Sequence, residues 1–246
     1  MKSLLKRIAR RAGLVVVASH NHGVRYLDRP TRTPFDDALL RVFPVLDGLN
    51  FIQIGANDGV RGDPIHPYIH SYGWSGLMVE PVPAIFAQLR QNYSGNELLA
   101  FLNAAVAEQA GERIIYKIRP TLTHLPDWVH GLGSFDENRV RASALKLHLA
   151  PDAVVSEPVR AVTWQEVLTQ FGPRRCDILI VDTEGYDITV LKLARLELLK
   201  PALIQFEHAH IDRATVISFY ADLIGLGYEI ATAGPDTVAW LPPMPR

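Results

Sequence analysis

The chain has 246 residues, 48% of them hydrophobic, with a formal net charge of −1 and one cysteine. That length and apolar content suffice for one sizeable α/β core, and the balanced charge lacks the basic excess of a general nucleic-acid binder. Cys176, being alone, excludes an internal disulfide and a cysteine-based zinc site, which accords with a reducing, cytoplasmic setting.

The N-terminus carries Lys2, Lys6, Arg7, Arg10 and Arg11 before a short apolar run from Leu14 to Ala18. That run is too short for a signal peptide, and no later stretch approaches the roughly 20 apolar residues of a spanning helix, so the sequence reads as a soluble protein. Leu4, Leu5 and Ile8 against the basic side chains give an amphipathic pattern. Such a helix suits peripheral contact with an anionic membrane, or is simply solvated. Residues 19–34 are rich in turn formers, and Pro34-Phe35-Asp36-Asp37 then opens a helix through about Phe43. Residues 1–48 are therefore expected to form a helical and irregular extension, and residues 49–246 the main domain.

Phe51 to Ile54 reads as a buried strand running into the turn Gly55-Ala56-Asn57-Asp58-Gly59, whose glycines let backbone pass close to a ligand. About 20 residues beyond Gly59, the apolar run Gly76 to Val79 ends in Glu80, where an α/β nucleotide fold places the acid that holds ribose hydroxyls. A pyrophosphate wants free N–H groups at a helix N-terminus, whereas this loop carries Asp58 and then Asp63-Pro64. Acids there favour S-adenosylmethionine, a cationic adenosine cofactor without phosphate. His66 and His70 are four apart but separated by Pro67, which fits surface histidines better than metal ligands.

Pro83 starts a helix whose Ile85, Phe86, Leu89 and Tyr93 recur at helical spacing and should pack on the sheet. Leu98 to Leu102 is a third strand ending at Asn103-Ala104-Ala105, where Asn103 is placed either to meet an adenine edge or to cap a turn. Gly111 to Ile118 reads as an extended segment at a sheet edge. Residues 119–160 then break the strand–helix alternation and read as a lid-like insert. It contains Trp128, His130, Arg139 and His148, and a turn, Gly131 to Phe135, in which Ser134 is placed to bond cofactor or acceptor. A helical stretch follows to about Leu149.

Thr163 with Glu166 three residues on has the form of a capping box. Asp177 to Val181 is the purest buried strand, and it ends in Asp182-Thr183-Glu184-Gly185-Tyr186-Asp187. The C-terminal ends of parallel strands face the ligand crevice, so Asp182 should lie beside Gly55 and Glu80. The competing reading makes Asp182 the N-cap of the next helix, a role also open to Thr183 or Asp187. Ala202 to Phe206 is a fifth strand ending in Glu207-His208-Ala209-His210; persistent extension there would put His208 and His210 on one face, opposite Glu207. A helix around Val216 to Leu226 and a hairpin, Tyr228 to Ala231 with Thr237 to Leu241, close the chain.

In order and spacing, Gln53 to Gly59, Glu80-Pro81, Asn103 to Ala105, Asp182 to Asp187 and Phe206 to His208 resemble the FkbM-type family of S-adenosylmethionine-dependent methyltransferases, over roughly residues 50–240. The resemblance implies the class I methyltransferase (Rossmann-like) fold: α/β, with a mostly parallel seven-stranded sheet and a C-terminal antiparallel hairpin. It also implies methylation of a hydroxyl on a sugar, glycan or secondary metabolite. Gln53 stands where such enzymes often carry an acid, leaving Asp58 or Asp182 to meet the methionine ammonium.

The cofactor-binding set is then Gly55, Ala56, Asn57, Asp58, Gly59, Glu80, Asn103, Ala104 and Asp182, with Ser134, Glu184 and Glu207 toward the acceptor. A sugar hydroxyl needs a base or a metal ion. Asp182 is assigned to positioning and His208 to taking the proton; alternatively Asp182 and Glu207 hold a divalent ion such as magnesium. Rival readings are a nicotinamide oxidoreductase, disfavoured by the missing pyrophosphate fingerprint, a metallohydrolase built on Asp182, Glu207, His208 and His210, and a non-catalytic binding module. A nucleic-acid methyltransferase is disfavoured by the charge balance and by the absence of an Asn-Pro-Pro-aromatic motif.

Overall fold

The computed structural model describes residues 33–119, 122, 125, 129, 131 and 133–243. The amphipathic pattern at Leu4 to Ile8, most of the irregular connection, Trp128 and His130 lie outside the described residues. No helix among the described residues is long and apolar enough to cross a membrane.

Helix α1 (Pro34–Val42) starts where the sequence places it, because Thr33 and Asp36 form a reciprocal capping box with Pro34 in the first turn. Strand β1 (Asn50–Ile54) follows, then α2 (His66–Tyr72), β2 (Ser75–Val79), α3 (Pro83–Asn92), β3 (Leu99–Leu102) and the short β4 (Ala105–Val106). Next come β5 (Gly111–Ile118), β6 (Gly133–Ser134), α4 (Glu137–Lys146), β7 (Val154–Val162), α5 (Trp164–Phe171) and β8 (Ile178–Val181). The chain ends with α6 (Asp187–Leu193), α7 (Leu196–Leu199), β9 (Leu203–Glu207), α8 (Arg213–Gly225), β10 (Glu229–Ala233) and β11 (Asp236–Trp240).

Seven strands form one sheet in the order β10-β11-β9-β8-β1-β2-β3. β1, β2, β3, β8 and β9 run parallel, while β11 pairs antiparallel with both β9 and β10. Side chains alternate along each strand, so Ile52, Ile54, Leu179, Val181, Ile204 and Phe206 pack on one face with α5, α6 and α8. Phe51, Met78, Ile178, Ile180 and Leu203 pack on the other with Phe35 and Leu39 of α1, Tyr68 and Ile69 of α2, and Leu89 of α3. Helix α1, inside the expected extension, is thus part of this core. On α3, Leu89 is buried and Tyr93 just beyond it is also buried, whereas Ile85 and Phe86 are only half-buried.

Three expectations change. Gly111 to Ile118 is not an edge of the main sheet but lies inside a second, four-stranded sheet, β4-β7-β5-β6. β5 pairs antiparallel with β7 along its whole length, from Gly111–Ala161 to Ile118–Val154, so the insert ends in a long strand rather than a loop. The helix expected to reach Leu149 stops at Lys146. The Thr163–Glu166 box is also not formed: Thr163 is the N-cap of α5 without a side-chain bond, and Glu166 pairs with Arg160 of β7.

Candidate active site

Strand register builds the site. Leu102, Val79, Ile54, Val181 and Phe206 sit side by side across five parallel strands. One residue further on, at the C-terminal edge, come Asn103, Glu80, Gly55, Asp182 and Glu207. This is where ligands bind in open α/β sheets. A cavity of about 680 Å³, including its open mouth, lies over the edge. Its lower wall is Gly55, Asn57, Glu80, Asp182, Thr183 and Glu184. Ile115, Gly131, Gly133 and Phe135 of the second sheet and insert cover it, and Val82, Ala104, Ala105 and Val106 make an apolar side.

Glu80 is buried; its carboxylate accepts from the amides of Asn57 (3.0 Å) and Val82 (2.9 Å), which ties the glycine turn to the end of β2. Burial pushes its carboxyl up to about 7, against the two amides and Lys117. Asp182 opens onto the cavity and solvent reaches it. Its carboxyl is nonetheless held well above the usual range, first by the protein packed around it and then by Glu184, Asp187, Glu207 and Asp236. Asp182 caps no helix. Asp187, fully buried, takes the structural work: it accepts from the Thr183 hydroxyl and amide, the Gly185 amide and the Glu207 amide, locking the loop after β8 to the end of β9.

Both glycines are required by protein packing, and of the two only Gly55 also lines the cavity. A Cβ on Gly55 would lie 1.7 Å from the Asp182 carbonyl oxygen, and one on Gly59 would strike Leu89 and Tyr93. Ala56 is buried in the core, and neither it nor Gly59 lines the cavity. Asp58 faces back into its turn, accepting from the Val60 and Arg61 amides and pairing with Arg61 Nε at 2.5 Å. Although burial acts against it, these bonds hold its carboxyl below the ordinary value. Asp63 is likewise engaged, by Gln53 Nε2 (2.9 Å) and the amides of Ile65 and His66. The negative lining therefore comes from Glu80, Asp182 and Glu184, not from Asp58 and Asp63. Asn103 does not line the cavity either; it bridges the carbonyls of Glu80 and Pro81 (2.8 and 3.0 Å).

Extension does not persist beyond β9. It stops at Glu207, and the turn that follows brings His210 Nε2 within 3.5 Å of Glu207 Oε1 while His208 swings to Thr237. Glu184, Glu207 and His210 place one ligand atom each within 4.8 Å of one another, a grouping without Asp182. Arg139 of α4 already reaches these acids, pairing with Glu184 and lying 3.5 Å from Glu207. Glu207 is pushed up to about 8 by burial and then Glu184, with Arg139 opposing. Ser134 donates to the Glu184 carbonyl (3.1 Å) and caps the Asp136 amide, so it fastens the insert to the loop after β8. His66 and His70 pack against Tyr93, His66 Nδ1 standing 2.8 Å from its hydroxyl. Arg139, Phe135 and Ile115 carry no local signal of their role, since each reaches the site only by tertiary packing.

The sheet order, with the crevice at its C-terminal edge, is that of the class I methyltransferase fold. A sequence profile described as "Methyltransferase FkbM domain" matches residues 53–229, and the chain belongs to that family. No curated protein matches it. Among solved structures, the methyltransferase FkbM from Methylobacillus flagellatus KT shares 13% identity and a TM-score of 0.50, with 84% of this chain and 46% of that chain covered. The chain thus spans less than half the length of that structure. A precorrin-6y C5,15-methyltransferase from Geobacter metallireducens GS-15 is 10% identical, with a TM-score of 0.43 over 92% of this chain and 93% of that one.

Proposed function

We propose that the protein transfers a methyl group from S-adenosylmethionine to a hydroxyl of a sugar, glycan or other small metabolite. One observation carries this reading: the crevice is lined by Glu80, Asp182 and Glu184 beside an apolar wall, and no lysine or arginine among the described residues lines it. That donor set suits a cation with an apolar ring system and repels a pyrophosphate. Glu80 would hold the ribose hydroxyls with the lone pairs its amide bonds leave over, Val82 and Ala104 to Val106 would flank the adenine, and Asp182 would meet the ammonium. The bound cofactor supplies an electrophilic methyl carbon on sulfur.

The protein's own tasks are alignment, exclusion of water and removal of one proton. Phe135, Ile115 and Gly131 line the same cavity and would exclude water once cofactor and acceptor fill it. His208, one residue past the end of β9 and not among the residues that line the cavity, would take the hydroxyl proton, while Glu184, which does line it, and Glu207 beside it would orient the acceptor. The metal-free version is preferred, because Arg139 already places a cation beside Glu184 and Glu207, two of the three groups that come close enough to share an ion. Isothermal titration with S-adenosylhomocysteine is the test. Micromolar affinity in the wild type, lowered at least about tenfold in Glu80→Ala, supports the reading; a folded wild type that binds none overturns it.

A further inference from the structure

His208 is held by a hydrogen-bond chain that leads away from the cavity. Its amide donates to the Pro235 carbonyl (2.8 Å), fixing the residue beside the β10–β11 turn. Its ring Nδ1 lies 2.9 Å from Thr237 Oγ1, and Thr237 Oγ1 lies 2.6 Å from the Tyr220 hydroxyl. Thr237, on β11, is fully buried, whereas Tyr220, on α8, is half-buried.

A threonine hydroxyl has one proton and here two partners, so the chain must run in one of two directions. In one, Tyr220 donates to Thr237 and Thr237 donates to Nδ1, which places the ring proton on Nε2 and leaves the ring no free basic nitrogen. In the other, Nδ1–H donates to Thr237, Thr237 donates to Tyr220, and Tyr220 donates to water. Only the second direction leaves Nε2 unprotonated. It is also the only direction that survives proton uptake unchanged, since an imidazolium carries protons on both nitrogens and must donate from Nδ1. The buried Thr237 hydroxyl then needs no rotation during the proton transfer.

We infer that Thr237 and Tyr220 are positioning residues that fix His208 as its Nδ1–H tautomer, so that Nε2 is the nitrogen that receives the acceptor's proton. This rests on the reading of His208 as the base. Its test does not, because it reads the tautomer without cofactor or acceptor. Long-range proton–nitrogen correlation spectra of the full chain, histidine-labelled and with the ring neutral, should show Nδ1 in the protonated range and Nε2 in the unprotonated range, the signal being assigned by its loss in His208→Gln.

Thr237→Val, nearly isosteric, should remove the preference, and Thr237→Ser should restore it. Tyr220→Phe leaves the Thr237 hydroxyl no acceptor but Nδ1, so the ring proton should move to Nε2; this half-exposed site carries the test should Thr237→Val fail to fold. A wild type with its proton on Nε2, or an unchanged tautomer in folded Tyr220→Phe, overturns the inference. Separately, a His208→Gln variant that keeps turnover on an acceptor once found would remove the base role while leaving the tautomer result standing.

Discussion

Gly55 shows how one residue couples two strands. It sits at φ 78°, and the carbonyl of Asp182 occupies the space its Cβ would need. Any side chain must push the end of β8 away from β1, so Gly55→Ala should cost on the order of 3 kcal/mol from strain and overpacking. Gly48 has a similar φ of 71°, but a Cβ there would meet nothing within 4 Å, so Gly48→Ala should cost only about 1 kcal/mol of backbone strain. Urea titration of the two variants checks the contrast, and equal losses would refute it. The glycine pattern is plain in the sequence. Its reason is not, because Asp182 is distant in the chain and adjacent only after the parallel pairing forms.

Elements differ in how much of their boundary is local. Thr33 bonds the Asp36 amide and Asp36 bonds back, whereas Thr163 starts α5 without a side-chain bond. Thr33→Ala should therefore lower stability by about 1 kcal/mol, and Thr163→Ala by about a few tenths. Denaturant midpoints decide it; a larger loss at Thr163 would be the contrary outcome. Helix α4 poses the opposite case. Its sequence periodicity is legible, but Arg139 gains meaning only when the β5–β7 pairing lays α4 over the loops after β8 and β9. Arg139→Ala leaves Glu184 and Glu207 without the guanidinium they share, at a cost of about 3 kcal/mol. Combining it with Glu184→Gln should recover part of that loss. A double variant no more stable than Arg139→Ala would argue against the clamp.

Across the whole molecule, buried carboxyls make stability depend on pH. Burial raises Glu80 to about 7 and Glu207 to about 8 in the folded protein. The unfolded chain has lost these protons by then, so the folded state binds more protons and stability falls as pH rises through this window. His210, lowered by burial and by Arg139, acts in the opposite sense only below the ordinary histidine range. Between about pH 6.5 and 8 the ligand-free protein should therefore lose on the order of 1–2 kcal/mol. Melting curves across that range test this, and Glu207→Gln should flatten the dependence. A melting temperature that rises with pH would refute it.

What is local was legible from the sequence: the continuous burial of β1 and β8, the helical repeat of Leu89 and Tyr93, the Pro34 start, the terminal hairpin, and the acids that end successive strands. Each depends on a period or a turn within a few residues. Because parallel strands align their C-terminal ends, the sequence also determined that Glu80 and Asp182 would share an edge with Gly55. Only the tertiary structure decided which polar groups remain available there. Asp58 and Asp63 are each taken up by two backbone amides and one side chain, and Asn103 and Ser134 by backbone partners. Asp187 is buried as a tie between loops, and β9 ends one residue before His208, turning its ring to Thr237. A buried polar group takes whatever donor or acceptor the fold brings within about 3 Å, and that partner is set by packing between distant segments rather than by neighbours in sequence.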